Sequence, residues 1–223
     1  DVILVIGTRV NYVIGHAAPP RWNAGAKIIR IDIDPTEIAT NAPRKLDIGV
    51  VADAKVAFQQ LTDAVKGKIT PASYETWRER LRSRNVQKQA EAEQALSTNQ
   101  SPIHPLRLCK EVRDFLDRDA ILCVDGQETL NYARQAIPQY SPRQRLNSGA
   151  YGTMGVGMPL GVGAKVACPD KQVVVLHGDG SWGMNSMEFD TAMRHKLPIT
   201  VVISQNGGWT GDPEKNKPGR DLG

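Results

Sequence analysis

The chain has 223 residues, 40% of them apolar and 23% charged, with a net charge of +4. This composition is ordinary for one large or two small globular domains, and it excludes collagen-like, coiled-coil and wholly disordered chains. The mild charge without aromatic interleaving argues against nucleic acid as a partner, and no apolar run approaches the roughly 18 residues of a membrane helix. In chain order, residues 2–6 (Val-Ile-Leu-Val-Ile) have the β-branched content of a buried strand. Residues 27–33 and 49–53 predict two more strands, and residues 54–66 a helix capped by Asp53, with Val56, Phe58, Leu61 and Val65 on one face. Residues 74–96 are highly charged and predict a solvated helix, followed by a linker signal from Ser97 to Pro102. Alternation then resumes: a helix over 105–116, a strand over 120–124, a helix near 130–137, a glycine-rich loop over 146–155, a helix over 158–167, a strand over 172–177, a helix over 187–195 and a strand over 199–204. The fold class is therefore α/β with two parallel-sheet units. The expected organisation is a partial central α/β domain over 1–66, a charged helical linker over 67–101 and a second α/β domain over 102–223. Cys109, Cys123 and Cys168 are scattered without metal-ligand spacing, which points to reduced thiols and a cytoplasmic setting. The first residues enter a strand directly and the last ones end in loop chemistry, so the chain reads as a piece of a longer protein.

Two loops follow consecutive predicted strands, Gly178-Asp179-Gly180-Ser181 and Asn206-Gly207-Gly208. Ligands of open α/β sheets bind at that edge. Each loop offers a hard oxygen, the Asp179 carboxylate and the Asn206 amide, which suits Mg²⁺ or Ca²⁺ better than zinc. Glycines let backbone amides approach an anion closely, and Ser181 with the start of the next helix adds donors. A tight turn without chemistry is the alternative reading of Gly178-Asp179-Gly180 alone.

These residues resemble a known family. Gly178-Asp179-Gly180-Ser181, with Gln205-Asn206-Gly207-Gly208 beginning 24 positions after Ser181, is similar to the thiamine-diphosphate binding motif. The loop SGAYGTMGVGMPLGVGAKVA over 148–167 resembles the cofactor loop of acetolactate synthase, oxalyl-CoA decarboxylase and 2-hydroxyacyl-CoA lyase. IDIDPTEIATN over 31–41 resembles the central domain of the same enzymes. MEFDTAMRHKLP over 187–198 with Gln205 to Trp209 looks most like the oxalyl-CoA decarboxylase and 2-hydroxyacyl-CoA lyase branch, while benzaldehyde lyase is similar around the former segment.

The resemblance implies roles. Asp179, Asn206 and the Gly208 carbonyl would hold Mg²⁺. Gly178, Gly180, Ser181 and the Gln127 loop would contact the diphosphate. Met154 would sit under the bend of thiamine diphosphate, with the Gly152 carbonyl and the Met154 amide on its aminopyrimidine. The implied reaction is reversible carbon–carbon cleavage of a 2-hydroxyacyl-CoA to an aldehyde or ketone and formyl-CoA. Two alternatives stand beside it: an acetolactate-synthase- or benzaldehyde-lyase-like carboligase or decarboxylase of free 2-oxo acids, and a non-catalytic nucleotide-binding module, since fold alone does not set function. The substrate is accordingly an acyl-CoA or a small 2-oxo or 2-hydroxy acid. In the family the central domain binds FAD, ADP or nothing, and Asp32 at a strand end would reach a ribose hydroxyl, which leaves ADP or another nucleotide as a second ligand. The activating glutamate of these enzymes comes from an N-terminal domain of a partner subunit. The resemblance therefore implies a homodimer or homotetramer, no catalytic residue within this stretch, and no turnover by it alone. Glu128 stands where acetolactate synthases carry a histidine and is not that glutamate. Trp209 and Thr210 are candidates for the substrate channel, and the arginines from Arg78 to Arg84 with Lys88 for a solvated face.

Overall fold

The computed structural model describes residues 2–39 and 44–208. The chain divides into two compact units, Asp1–Leu81 and Arg82–Gly223. Trp209, Thr210 and Asn41 lie outside the described residues.

The first unit carries three parallel strands in the order β1 (Val2–Ile6), β2 (Lys27–Asp32), β3 (Ile48–Val51). Val5, Ile28 and Ala17 form its small core. Helix α1 is Pro35–Ala39 and α2 is Ala54–Val65. Asp53 caps α2 as expected, its carboxylate accepting from Val56 N at 3.0 Å. The apolar residues of α2 are left largely uncovered: Val56, Phe58, Leu61 and Val65 are 39–59% exposed, and Ala57 is the buried residue.

Helix α3 (Glu75–Leu96) runs through the division between the units. Its arginines lie in solvent, as expected, with Arg78 paired to Glu75 at 3.0 Å one turn away. Such exposed pairs add little stability.

The second unit is a four-stranded parallel sheet in the order β5 (Arg145–Leu146), β4 (Ile121–Asp125), β6 (Val173–Gly178), β7 (Thr200–Ser204). Strands β4 and β6 are buried on both faces, as parallel strands covered by helices require. The period-two rule sorts their side chains. Leu122, Val124, Val174 and Leu176 face one cluster with Cys109 and Val112 of α4 (Pro105–Phe115) and Ala133 and Ala136 of α5 (Gln127–Ala136). Ile121, Cys123, Val173 and Val175 face the other, with Met158 and Ala164 of α6 (Gly157–Ala167). His104 caps α4, its Nδ1 accepting from Leu106 N at 3.1 Å. Two short helices follow β6: α7 (Asp179–Asn185) and α8 (Glu188–Arg194).

Helix boundaries differ from expectation in two places that matter for the site. Helix α5 begins at Gln127, three residues before the expected start, because Gly126 at φ 98° turns the chain sharply off β4. Gln127 is thus the first residue of a helix and not part of a loop. Asp179 likewise opens α7 directly. Helix α6 packs against the sheet through glycine. A Cβ at Gly161 would stand 2.5 Å from Val175 Cγ2, so only hydrogen fits there.

Candidate active site

The loops that follow β4, β6 and β7 gather at the C-terminal edge of the sheet of the second unit. Strand register aligns Asp125, His177 and Ile203 across β4, β6 and β7, so the residues just beyond them share one rim. There Asp179 bridges two loops that are distant in sequence. Its Oδ1 accepts from Gly180 N at 2.8 Å and its Oδ2 from Gly207 N at 2.9 Å. Asn206 Oδ1 accepts from Gly208 N at 3.1 Å, while Asn206 Nδ2 donates to Glu128 Oε2 at 2.7 Å. The structure therefore brings Asp179, Gly180, Asn206 and Gly208 together and adds Glu128 from α5. Each carboxylate and amide oxygen retains lone pairs beyond these bonds. Asp179 is half-buried and Asn206 exposed, so the donors stand at the mouth of the rim.

The Ser181 side chain turns inward, which leaves its backbone amide for the expected diphosphate contact. It is 2% exposed. Its hydroxyl donates to Gly178 O at 3.0 Å and lies 3.0 Å from His177 Nδ1. With its own proton spent on Gly178, Ser181 Oγ accepts from His177 Nδ1–H. This fixes the histidine tautomer. His177 Nε2 is buried without a partner among the described residues. Burial holds the His177 pKa below its ordinary value, with the opposing pull of Asp125 the smaller effect. Trp182 packs edge-on against it, with ring centroids 5.6 Å apart.

The loop carrying Gly152 and Met154 is pinned at two points. Asp125 Oδ2 accepts from Gly157 N at 2.7 Å, with Oδ1 accepting from Gly126 N at 2.7 Å. Asn185 Nδ2 donates to Gly155 O at 2.8 Å. Gly157 touches the ends of both central strands: a Cβ there would meet His177 Cε1 at 2.5 Å and Asp125 Cβ at 2.8 Å. Met154 is half-buried, and Gly152 is exposed at φ 66°. Asp125, Glu128 as the partner of Asn206, and Asn185 were not singled out in the sequence. Their only local signal is an acidic or amide side chain at a predicted strand or helix end.

The arrangement suits a divalent cation holding an anionic ligand. The Asp179 and Glu128 carboxylates alone would repel a diphosphate, and hard-oxygen donors of this number leave coordination positions for its oxygens. The donor set thus fits Mg²⁺ with thiamine diphosphate.

Asp32 of the first unit is buried and accepts from Asp34 N at 3.1 Å, a local turn. No helix among the described residues is long and apolar enough to cross a membrane.

Two family models match the chain: "thiamine pyrophosphate enzyme, central domain" over residues 1–61, and "thiamine pyrophosphate enzyme, C-terminal TPP binding domain" over residues 126–218. Oxalyl-CoA decarboxylase of Escherichia coli (strain K12) is 35% identical over 212 residues, covering 93% of this chain and 36% of its own length. 2-Hydroxyacyl-CoA lyase of Oryza sativa subsp. japonica is 30% identical over 221 residues, 97% of this chain and 38% of its own. A probable acetolactate synthase of Mycobacterium bovis is 30% identical over 209 residues, 94% and 37%. The chain thus spans little more than a third of the length of these curated relatives. Among solved structures, the Rhodococcus jostii thiamine diphosphate-dependent 4-hydroxybenzoylformate decarboxylase superposes with a TM-score of 0.67 at 23% identity, covering 98% of this chain and 38% of that one, a likeness of fold.

Proposed function

Because the chain belongs to the thiamine pyrophosphate enzyme family, with that family's central and C-terminal cofactor-binding domains, we propose that it forms the diphosphate- and Mg²⁺-binding half of a carbon–carbon lyase acting on 2-hydroxyacyl-CoA. The products are an aldehyde or ketone and formyl-CoA. The observation that carries this reading is the meeting of the two loops, with Asp179 Oδ2 on Gly207 N at 2.9 Å across 28 residues of sequence.

In this reading Asp179, Asn206 and the Gly208 carbonyl hold the metal. Gly178, Gly180 and the Ser181 backbone line the diphosphate, with Gln127 at the start of α5 beside them. Ser181 Oγ, bonded to Gly178 O and His177, braces the turn from within. Glu128 takes one hydrogen from Asn206 Nδ2 and so turns Asn206 Oδ1 away from itself. Asp125 and Asn185 hold the loop that offers Met154 and the Gly152 carbonyl to the cofactor's ring system. Bound there, thiamine diphosphate supplies an acidic thiazolium carbon that serves as nucleophile and electron sink. The buried rim residues keep water from the inner side of the site.

Similarity to oxalyl-CoA decarboxylase and 2-hydroxyacyl-CoA lyase supports an acyl-CoA substrate. Similarity to the probable acetolactate synthase favours a second reading, a carboligase or decarboxylase of free 2-oxo acids. The sequence bounds 1–66 and 102–223 are the proposed extents of the two domains. A cytoplasmic homodimer or homotetramer, in which a partner subunit completes the site, is the proposed assembly. Calorimetric titration of thiamine diphosphate with Mg²⁺, repeated in chelator, tests the cofactor reading: binding that ignores the metal overturns it. Assays of the full polypeptide with a 2-hydroxyacyl-CoA and with a 2-oxo acid separate the substrates. Formyl-CoA from the former supports the lyase; turnover of the latter alone supports the second reading.

A further inference from the structure

A second concavity, with an apolar floor and a polar rim, lies at the opposite edge of the same sheet. The starts of β4 and β5 and the ends of α4 and α5 enclose a cavity of about 160 Å³, lined by Arg113, Asp117, Arg118, Tyr140, Gln144 and Arg145 among others. Three guanidinium groups face one carboxylate there. Arg113 is occupied by Asp114, with Nε to Oδ1 at 2.8 Å. Among the described residues, neither Arg118 nor Arg145 has a carboxylate partner.

Arg145 is the least satisfied. One of its terminal nitrogens donates to Ile137 O, while its Nε is buried without a hydrogen-bond partner. Burial, and then the nearby Arg134 cation, hold its pKa below the ordinary guanidinium value. Arg118 stacks on Tyr140 with its Cζ 4.0 Å from the ring centroid. One side chain braces this wall: Gln144 Oε1 accepts from Tyr140 N at 3.0 Å and Ser141 N at 2.8 Å, and its Nε2 donates to Arg118 O at 2.8 Å.

We propose that this cavity binds a phosphoryl group, free or at the end of a small organic phosphate. The three arginines, less Asp117 and the Asp114 paired with Arg113, leave one positive charge in surplus, which offsets part of the charge of a phosphate group of about −1.5 to −2. Guanidinium forks match phosphate oxygens in bidentate pairs, and stacking on Tyr140 holds one fork in place beforehand. The volume admits a phosphate and little more, well under the roughly 300 Å³ at which sites for larger ligands begin.

The test is calorimetric titration of the full chain with inorganic phosphate and, separately, methyl phosphate, at low ionic strength. The proposal expects saturable 1:1 binding that survives Asp179→Ala, which removes the carboxylate of the cofactor rim. It also expects Arg118→Gln, at an exposed position, to weaken binding by about tenfold or more, and Arg145→Gln to abolish it. Should Arg145→Gln fail to fold, Arg113→Gln provides the second variant, with weaker binding expected. Methyl phosphate binding as tightly as phosphate assigns an organic phosphate, and preference for the free ion assigns phosphate itself; either outcome upholds the site. Absence of saturable binding, binding unchanged in Arg118→Gln, or binding lost in Asp179→Ala each overturns it.

Discussion

Gly157→Ala isolates the close approach on which the candidate site is built. Gly157 opens α6, and its added Cβ would lie 2.5 Å from His177 Cε1, 2.7 Å from His177 Nε2 and 2.8 Å from Asp125 Cβ. Ordinary carbon contacts are about 3.5–4.0 Å, so the overlap is roughly 1 Å against groups that cannot swing aside. His177 is 1% exposed and packed on Trp182, and Asp125 Cβ belongs to a central strand. The start of α6 must retreat, which lengthens the 2.7 Å bond from Gly157 N to Asp125 Oδ2 beyond hydrogen-bond range. Overpacking costs about 1–3 kcal/mol, and a bond to a buried carboxylate is worth about 1.5–3 kcal/mol. The sum is about 2.5–6 kcal/mol, a large share of a typical domain's stability. Gly163→Ala is the internal control. It lies in the same helix, exposed, with nothing within 4 Å of a Cβ, so the substitution stabilises by about 1 kcal/mol through helix propensity. At about 3 °C per kcal/mol for a unit of this size, scanning calorimetry reads a drop of roughly 8–18 °C for Gly157→Ala and a small rise for Gly163→Ala. A Gly157→Ala protein melting with the parent, or a Gly163→Ala protein falling as far, refutes the packing argument.

Asp179→Ala removes both the carboxylate proposed for the metal and the acceptor for Gly207 N; metal-dependent cofactor binding, followed by calorimetry, is expected to vanish while the far-ultraviolet circular dichroism spectrum is kept. Glu128→Ala frees the Asn206 amide and is expected to weaken Mg²⁺ affinity by about 10–100-fold, with Glu128→Gln, which keeps an acceptor, recovering most of it. Equal affinity in all three proteins contradicts the positioning of Asn206. Burial pushes the thiol of Cys109 up to about 11 and that of Cys123 up to about 12. Above the unfolded thiol value of 9.0 the unfolded chain has released protons that the native one keeps, so stability falls with rising pH. The slope is about 1.4 kcal/mol per pH unit for each thiol, ending near 11 for Cys109 and near 12 for Cys123. Urea melts between pH 8.5 and 10.5 should show Cys123→Ala losing stability less steeply than the parent; parallel slopes exclude this linkage.

Much of the architecture is legible in local sequence because it depends on local chemistry. The β-branched runs at Val173 to Val175 and Thr200 to Ile203 dictate buried strands, and Asp53 and His104 sit where helix ends need acceptors. The Asp179 and Asn206 loops are readable for the same reason: glycine and hard-oxygen residues after strands mark a rim before any contact is known. The exposure of Val56, Phe58 and Leu61 on α2 is not readable, since a helical period names a face but not what lies against it. Nor are the bonds that organise the candidate site. Glu128 meets Asn206 across 78 positions, Asp125 meets Gly157 across 32, and Asn185 meets Gly155 across 30. Sequence places Ser181 at the rim but does not show that its hydroxyl bonds inward to Gly178 and His177. Residue type and spacing specify which groups a segment carries. Which of them face each other follows from the register and order of β4, β6 and β7, where one residue of slip would turn every side chain to the opposite face.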